Sequence, residues 1–278
     1  MLSRQRSGSV VCRSCGRLVG VQDTTCFHCG ARYPALFGYA PVIRRLGADD
    51  FGFTKVTIGA CVVLYLLALV LDPSAIGEAR GFLGFLSPSG QSSFVLGAAG
   101  HIPVVQYDRW WTVLSAGWLH GSLLHIFFNM YWVRLLASPV ARLYGPGRMV
   151  IVYVAASVAG FVASSLLPGG AGLTLGASAA LMGLLGALVH YGRRGGSTEV
   201  GRWAWGYVIL FLVFGFIVPG IDNWAHLGGF GGGWLAASIL DPLKPERLNH
   251  LVAALVCLVA SAAAVVLSVV TALPMLGA

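Results

Sequence analysis

Charge is scarce in this chain. Only 10% of its 278 residues are Asp, Glu, Lys or Arg, whereas 57% are hydrophobic, a balance too apolar for a soluble domain of this size. Period-two alternation is also missing, which excludes a transmembrane β-barrel. There is no basic tip followed by a short apolar run at the N-terminus, so no cleavable signal is expected, and the first apolar stretch near Val56 is expected to act as an uncleaved anchor. Acidic residues number ten against eighteen basic ones. That excess could point to nucleic acid, but its placement along the chain reads as membrane topology instead, and no nucleic-acid partner is expected.

What the sequence does have is a series of apolar stretches, each able to cross a hydrocarbon core about 30 Å thick as a helix. Seven spans are expected: TM1 Val56–Leu71, TM2 from about Trp111 to Leu136, TM3 Met149–Leu167, TM4 Leu175–Tyr191, TM5 Trp203–Val218, TM6 Trp224–Leu240 and TM7 Leu251–Leu273. Sixteen of the eighteen basic residues fall before TM1 or around the TM2–TM3, TM4–TM5 and TM6–TM7 joints, leaving Arg80 and Arg109 on the other side. The positive-inside rule then predicts a cytoplasmic N-terminus and an outer C-terminus. The expected location is the inner (cytoplasmic) membrane of a bacterium. The long joint Asp72–Asp108 carries Gly81-Phe82-Leu83-Gly84-Phe85-Leu86, too short to span and expected to lie in the membrane interface.

Residues 1–36 read as a separate module joined by a linker, 37–55, to a core over 56–240 and a final joint and helix over 241–278. Cys12-x-x-Cys15 and Cys26-x-x-Cys29 are each followed by a glycine, Gly16 or Gly30. Two such knuckles present four thiolates tetrahedrally and predict a structural zinc ion. Two disulfides are the alternative, disfavoured on a cytosolic face that keeps thiols reduced. The module is similar to the zinc ribbons at the ends of many multidomain chains, too small to fold without metal. It is expected to dock a protein partner or regulate, remote from any chemistry. His28 is expected to be a bystander.

An imidazole or amide inside a membrane span is a functional candidate by default. TM2 carries His120, His125 and Asn129, with His125 and Asn129 one turn apart on one face. TM4 carries Gly176 and Ser178, and TM6 carries His226, Gly229 and Gly233. All three spans enter from the same side, so Ser178, His226, His120 and His125 are expected at similar depth. Small residues on TM4 and TM6 predict a close helix–helix approach that brings His226 to Ser178. The grouping permits a serine nucleophile, a histidine base and donors for a developing oxyanion from His125, Asn129 and the Ser178 amide.

In order, His120-x4-His125-x3-Asn129, Gly176-x-Ser178 and Ala225-His226-x-x-Gly229-x-x-x-Gly233 resemble the motifs of the rhomboid intramembrane serine proteases. The resemblance implies an all-α polytopic membrane protein with a six-helix core plus a seventh C-terminal helix. It further implies a Ser178–His226 dyad cleaving transmembrane segments near the outer membrane face with no catalytic cofactor, and a partly embedded first loop beside substrate entry. Two positions depart from the family's usual pattern. Arg109-Trp110-Trp111 stands where Trp-Arg is common, and Met182 stands where an aromatic usually stacks on the base.

The expected substrates are transmembrane helices with Gly, Pro or other destabilising residues at the cut, presented within membrane lipid. His120 either holds the start of TM2 by hydrogen bonds or takes part in chemistry, and Asp222 either orients His226 or stays a loop carboxylate. His101, His190 and His250 are assigned no chemistry, and Cys61 and Cys257 are read as packing residues. Two rival functions remain: a non-catalytic rhomboid-like escort that binds membrane clients, and a transporter. Both serine and base are present, against the first, and no internal repeat is seen, against the second.

Overall fold

The computed structural model describes residues 4–12, 14–41, 50–74, 84–244, 246–272 and 274. Arg13, Arg44, Arg45, Arg80, the first half of the 81–86 patch and Leu273 lie outside them. The chain opens with a small hairpin in which β1 (Ser9–Val11) pairs antiparallel with β2 (Leu18–Gly20), Val10 opposite Val19. Their valines pack with Val21, Ala31, Ala35, Cys12 and Cys26 in a core of a few side chains. So small a core needs a cross-link or metal to hold it. The module runs past residue 36: the Gln5 amide donates to the Gly38 carbonyl (3.0 Å) and Arg4 Nε to the Phe37 carbonyl (2.7 Å).

Seven long helices follow among the described residues. They are α1 (Phe53–Leu71), α2 (Leu123–Tyr144), α3 (Pro146–Leu166), α4 (Ser178–Arg193), α5 (Thr198–Ile217), α6 (Asn223–Ile239) and α7 (Leu248–Ala272). Five of them, α1, α2, α3, α5 and α7, are long and apolar enough to cross a membrane. The other two, α4 and α6, have 16 and 17 residues, about 24–26 Å of helix; α4 stands at the centre of the bundle, while α6 exposes Leu235 and Ile239 on its outer face. Ala179 to His190 of α4 are buried without interruption, while α1, α5 and α7 expose large apolar side chains such as Val63, Phe216 and Val270.

Several boundaries differ from expectation, among them the start of α5 at Thr198 rather than Trp203. The span expected from Trp111 is broken: a turn at Thr112–Ser115 and a tight one at Ala116–Trp118 precede α2, which starts at Leu123. Thr112, Ser115, Gly117, His120 and Gly121 interrupt the apolar run here, and a cap marks where α2 begins. The Ser122 hydroxyl accepts from the His125 amide (3.2 Å), the usual N-cap bond. At its other end α2 runs through Pro139 to Tyr144. The fourth span was expected from Leu175 but starts at Ser178, because Gly176 takes a left-handed φ of 128° that no helix continues.

The central helices touch through their backbones. A methyl added at Gly233 would stand 2.2 Å from Gly183 Cα, and one at Gly229 would stand 2.2 Å from the Ala179 carbonyl oxygen. On the α3 side, Gly160 faces the Ala225 carbonyl oxygen at 2.5 Å by the same measure. Dispersion between close backbones drives such packing where lipid offers no hydrophobic gain. Consequently α6 lies wedged between α3 and α4, with its first turn beside the first turn of α4.

Candidate active site

Ser178 is the first residue of α4, preceded by Ala177 as a cap without a side-chain bond. Its amide therefore belongs to the set that no intrahelical carbonyl satisfies, at the positive end of the helix dipole. Its hydroxyl faces His226 Nε2 at 3.0 Å. His226 is held one turn into α6, whose cap is Asp222. The Asp222 carboxylate accepts from the Ala225 amide (3.0 Å) and from the Ser164 hydroxyl. Asp222 thus serves as a helix cap, and His226 Nδ1 has no hydrogen-bond partner among the described residues.

On the other side of Ser178 stands His125. The Gly121 amide donates to its Nδ1 (3.2 Å). An amide can only donate, so Nδ1 carries no proton and Nε2–H is left as the donor. A methyl added at Gly176 would stand 2.6 Å from His125 Nε2 and 3.8 Å from Ser178 Oγ. The space kept open by Gly176 thus lies between the hydroxyl and an N–H donor. Asn129 Nδ2 donates to the His125 carbonyl (2.8 Å), with one N–H left over and Oδ1 unpartnered. His120 lies in the turn before α2 rather than on it. Its buried ring meets that of His125 edge-on at 5.2 Å, and neither of its nitrogens is hydrogen-bonded among the described residues.

The loop leading to Ser178 is tied from behind. Ala99 and Thr174 exchange backbone hydrogen bonds (2.9 and 2.8 Å), and the Gly176 amide donates to the Ala116 carbonyl (3.0 Å). Arg109 is almost fully buried, its guanidinium 4.2 Å from the centre of the Phe94 ring. Sequence reasoning missed Ser164 and Ala116 in these supports. Ser164, as a buried hydroxyl near the end of α3, was detectable by the rule that flags intramembrane polar groups; Ala116 acts through its carbonyl and carries no signal. The remaining histidines are elsewhere: His101 Nδ1 lies 3.2 Å from the Ser165 carbonyl oxygen, His190 Nδ1 lies 3.2 Å from Tyr144 Oη, and His250 Nδ1 accepts from the Arg247 amide.

In the N-terminal module the sulfurs of Cys12, Cys15, Cys26 and Cys29 lie within 4.8 Å of one another, with Cys12–Cys29 and Cys15–Cys26 both at 3.8 Å. About 3.8 Å is the edge of a sulfur tetrahedron around zinc at a Zn–S distance of about 2.3 Å. All four are free thiols. Burial pushes Cys29 up to about 12; at Cys26 burial also raises the thiol, but the His28 and Cys29 amides outweigh it and bring it down to about 7. Four sulfurs at these spacings match a tetrahedral ligand set, and as thiolates they would need a cation among them, so the donor set fits zinc. His28 is outside the cluster, 4.0 Å from the Phe27 ring and 3.3 Å from an Arg17 nitrogen.

Fold and site together define a polytopic helical membrane protein with a serine and a histidine paired at adjoining helix starts. Residues 107–242 match the rhomboid domain. It is similar to rhomboid protease GluP of Bacillus subtilis, 33% identical over 165 residues that make up 57% of this chain and 32% of that protein. It is also similar to RHOMBOID-like protein 4 of Arabidopsis thaliana (30% over 159 residues, 56% and 40%) and rhomboid-type serine protease 2 of Emericella nidulans (29% over 150 residues, 51% and 29%). The matched part spans between about a third and two fifths of these relatives' own length.

Proposed function

We propose that the chain is a serine endopeptidase of the membrane that cuts transmembrane segments of other proteins. The observation that carries this reading is the 3.0 Å approach of Ser178 Oγ to His226 Nε2 beside an open, donor-lined space. His226 Nε2 takes the Ser178 proton as Oγ attacks the substrate carbonyl carbon. The carbonyl oxygen becomes an oxyanion facing the Ser178 amide, His125 Nε2–H and the spare N–H of Asn129. His226 then returns the proton to the leaving amine, and water hydrolyses the acyl-serine by the same route. The α4 dipole favours the oxyanion by about 1 kcal/mol; the preorganised donors contribute more, about 3 kcal/mol each where measured elsewhere.

His120 supports His125 by ring contact, and Gly176, Gly229 and Gly233 supply room. The distribution of basic residues supports a cytoplasmic N-terminus and a site near the outer face of a bacterial inner membrane. Cys12, Cys15, Cys26 and Cys29 would hold a structural zinc ion that cross-links the small module and takes no part in proteolysis. The test is a fluorophosphonate probe. Labelling of the wild-type protein that is lost in Ser178→Ala, together with loss of cleavage of a helix-destabilised transmembrane substrate, is expected; retained cleavage in Ser178→Ala would refute the reading, and no cleavage by the wild type would favour the escort function.

A further inference from the structure

We propose that α7 is a positioning element for the active site, acting through Ser268. This helix lies beyond the matched rhomboid domain. Yet its completely buried Ser268 carries three contacts to the loops behind the nucleophile. Its carbonyl accepts from Arg109 (2.7 Å), its hydroxyl accepts from Trp111 Nε1 (3.1 Å), and its side chain fills the place a Cβ on Gly97 would take, with Oγ at 2.4 Å from that position.

Each contact continues toward the site. Arg109 also donates to the Phe94 carbonyl (2.8 Å), fixing the end of the short helix Gly90–Leu96. Ser115 donates to the Gly97 carbonyl (2.7 Å). Two residues on, Ala99 pairs with Thr174, while Ala116, next to Ser115, accepts from the Gly176 amide. The path from Ser268 to the nucleophile loop therefore consists of hydrogen bonds and backbone contact among buried groups, where water does not reach to replace a lost partner. Arg109 is thereby anchored to a helix beyond residues 107–242.

The inference rests on the reading of Ser178 as nucleophile, but part of its test does not. In full-length protein, Ser268→Leu would push Gly97 away from α7, and Arg109→Gln would leave a shorter polar side chain without the charge or the reach to Ser268. Either is expected to speed amide hydrogen exchange at Ala99, Thr174 and Gly176 by about tenfold or more while α3 and α6 stay protected. Cleavage and fluorophosphonate labelling of Ser178 are expected to slow about 10- to 100-fold through kcat, with KM nearly unchanged. Arg109→Lys should recover part of both. Unchanged exchange at the three amides in a folded Ser268→Leu or Arg109→Gln protein would overturn the inference whatever the activity. Failure of wild-type labelling would count against the dyad alone, since exchange still decides the role of α7. Should Ser268→Leu unfold, Arg109→Gln and the Arg109→Lys recovery carry the decision.

Discussion

The two ends of the helix bundle differ in how fully they pair their buried polar groups. Where α2, α4 and α6 begin, both nitrogens of His120, Nδ1 of His226, Oδ1 of Asn129 and Oδ1 of Asn223 are buried without a partner among the described residues. At the far end, where these helices finish, Tyr144 donates to the Ala187 carbonyl (2.8 Å), the Arg148 guanidinium to the carbonyls of Leu240 and Asp241, and the Arg148 amide to Glu246. Arg194 and Lys244 converge on Asp241 there at 3.4 and 3.7 Å. A buried unpaired polar atom costs about 1–3 kcal/mol, so five at one end are hard to explain as packing. At the far end Arg148 Nε and, one turn into α1, Thr57 Oγ1 are also buried without a partner among the described residues, but most polar groups there serve structure, whereas the near end leaves more of them available.

That contrast can be broken from either side. Ser178→Ala should have the largest effect, lowering cleavage by about 10⁴-fold or more with an unchanged unfolding midpoint, read by a substrate assay and a thermal melt. Gly176→Ala should cost about 100-fold or more in kcat, because its methyl would displace the His125 donor and its left-handed backbone would be strained. Gly233→Ala should act through stability, since a methyl cannot fit against Gly183: a loss of about 1–3 kcal/mol is expected in detergent unfolding, and activity should fall with the helix spacing. Arg148→Gln at the far end should lower stability by about 2 kcal/mol while kcat per folded molecule stays the same. Smallest of all, removing residues before Phe37 should leave cleavage of a model substrate intact, while Cys26→Ser should abolish zinc binding as read by metal analysis.

Much of the site's composition was legible because intramembrane polar residues are rare and each asks for a reason. Ser178, His125 and His226 declared themselves that way, and the cysteine spacing did the same for the metal cluster. The helix starts were harder. Residues 111–122 mix Val113, Leu114 and Leu119 with Thr112, Ser115, His120 and Ser122, and the Ser122 cap, a local hydrogen bond, separates the turns from α2. Ser178 looked like a residue inside a helix, and its place as the first residue depends on the φ of Gly176. The contact between Arg109 and Ser268 links positions 159 apart in the chain, and nothing in either local sequence signals it. Asp222 was weighed as a partner for His226; its carboxylate is taken by the Ala225 amide and Ser164, a choice set by the third dimension.

The backbone contact between Gly183 and Gly233 has an evolutionary consequence. The spacing of Ser178 and His226 is set by main-chain atoms that every substitution elsewhere leaves alone, so the lipid-facing side chains of α1, α5 and α7 are free to drift. Chemistry and recognition, on the proposed reading, thereby rest on different parts of the molecule. The periphery can change what is bound without moving Ser178 against His226.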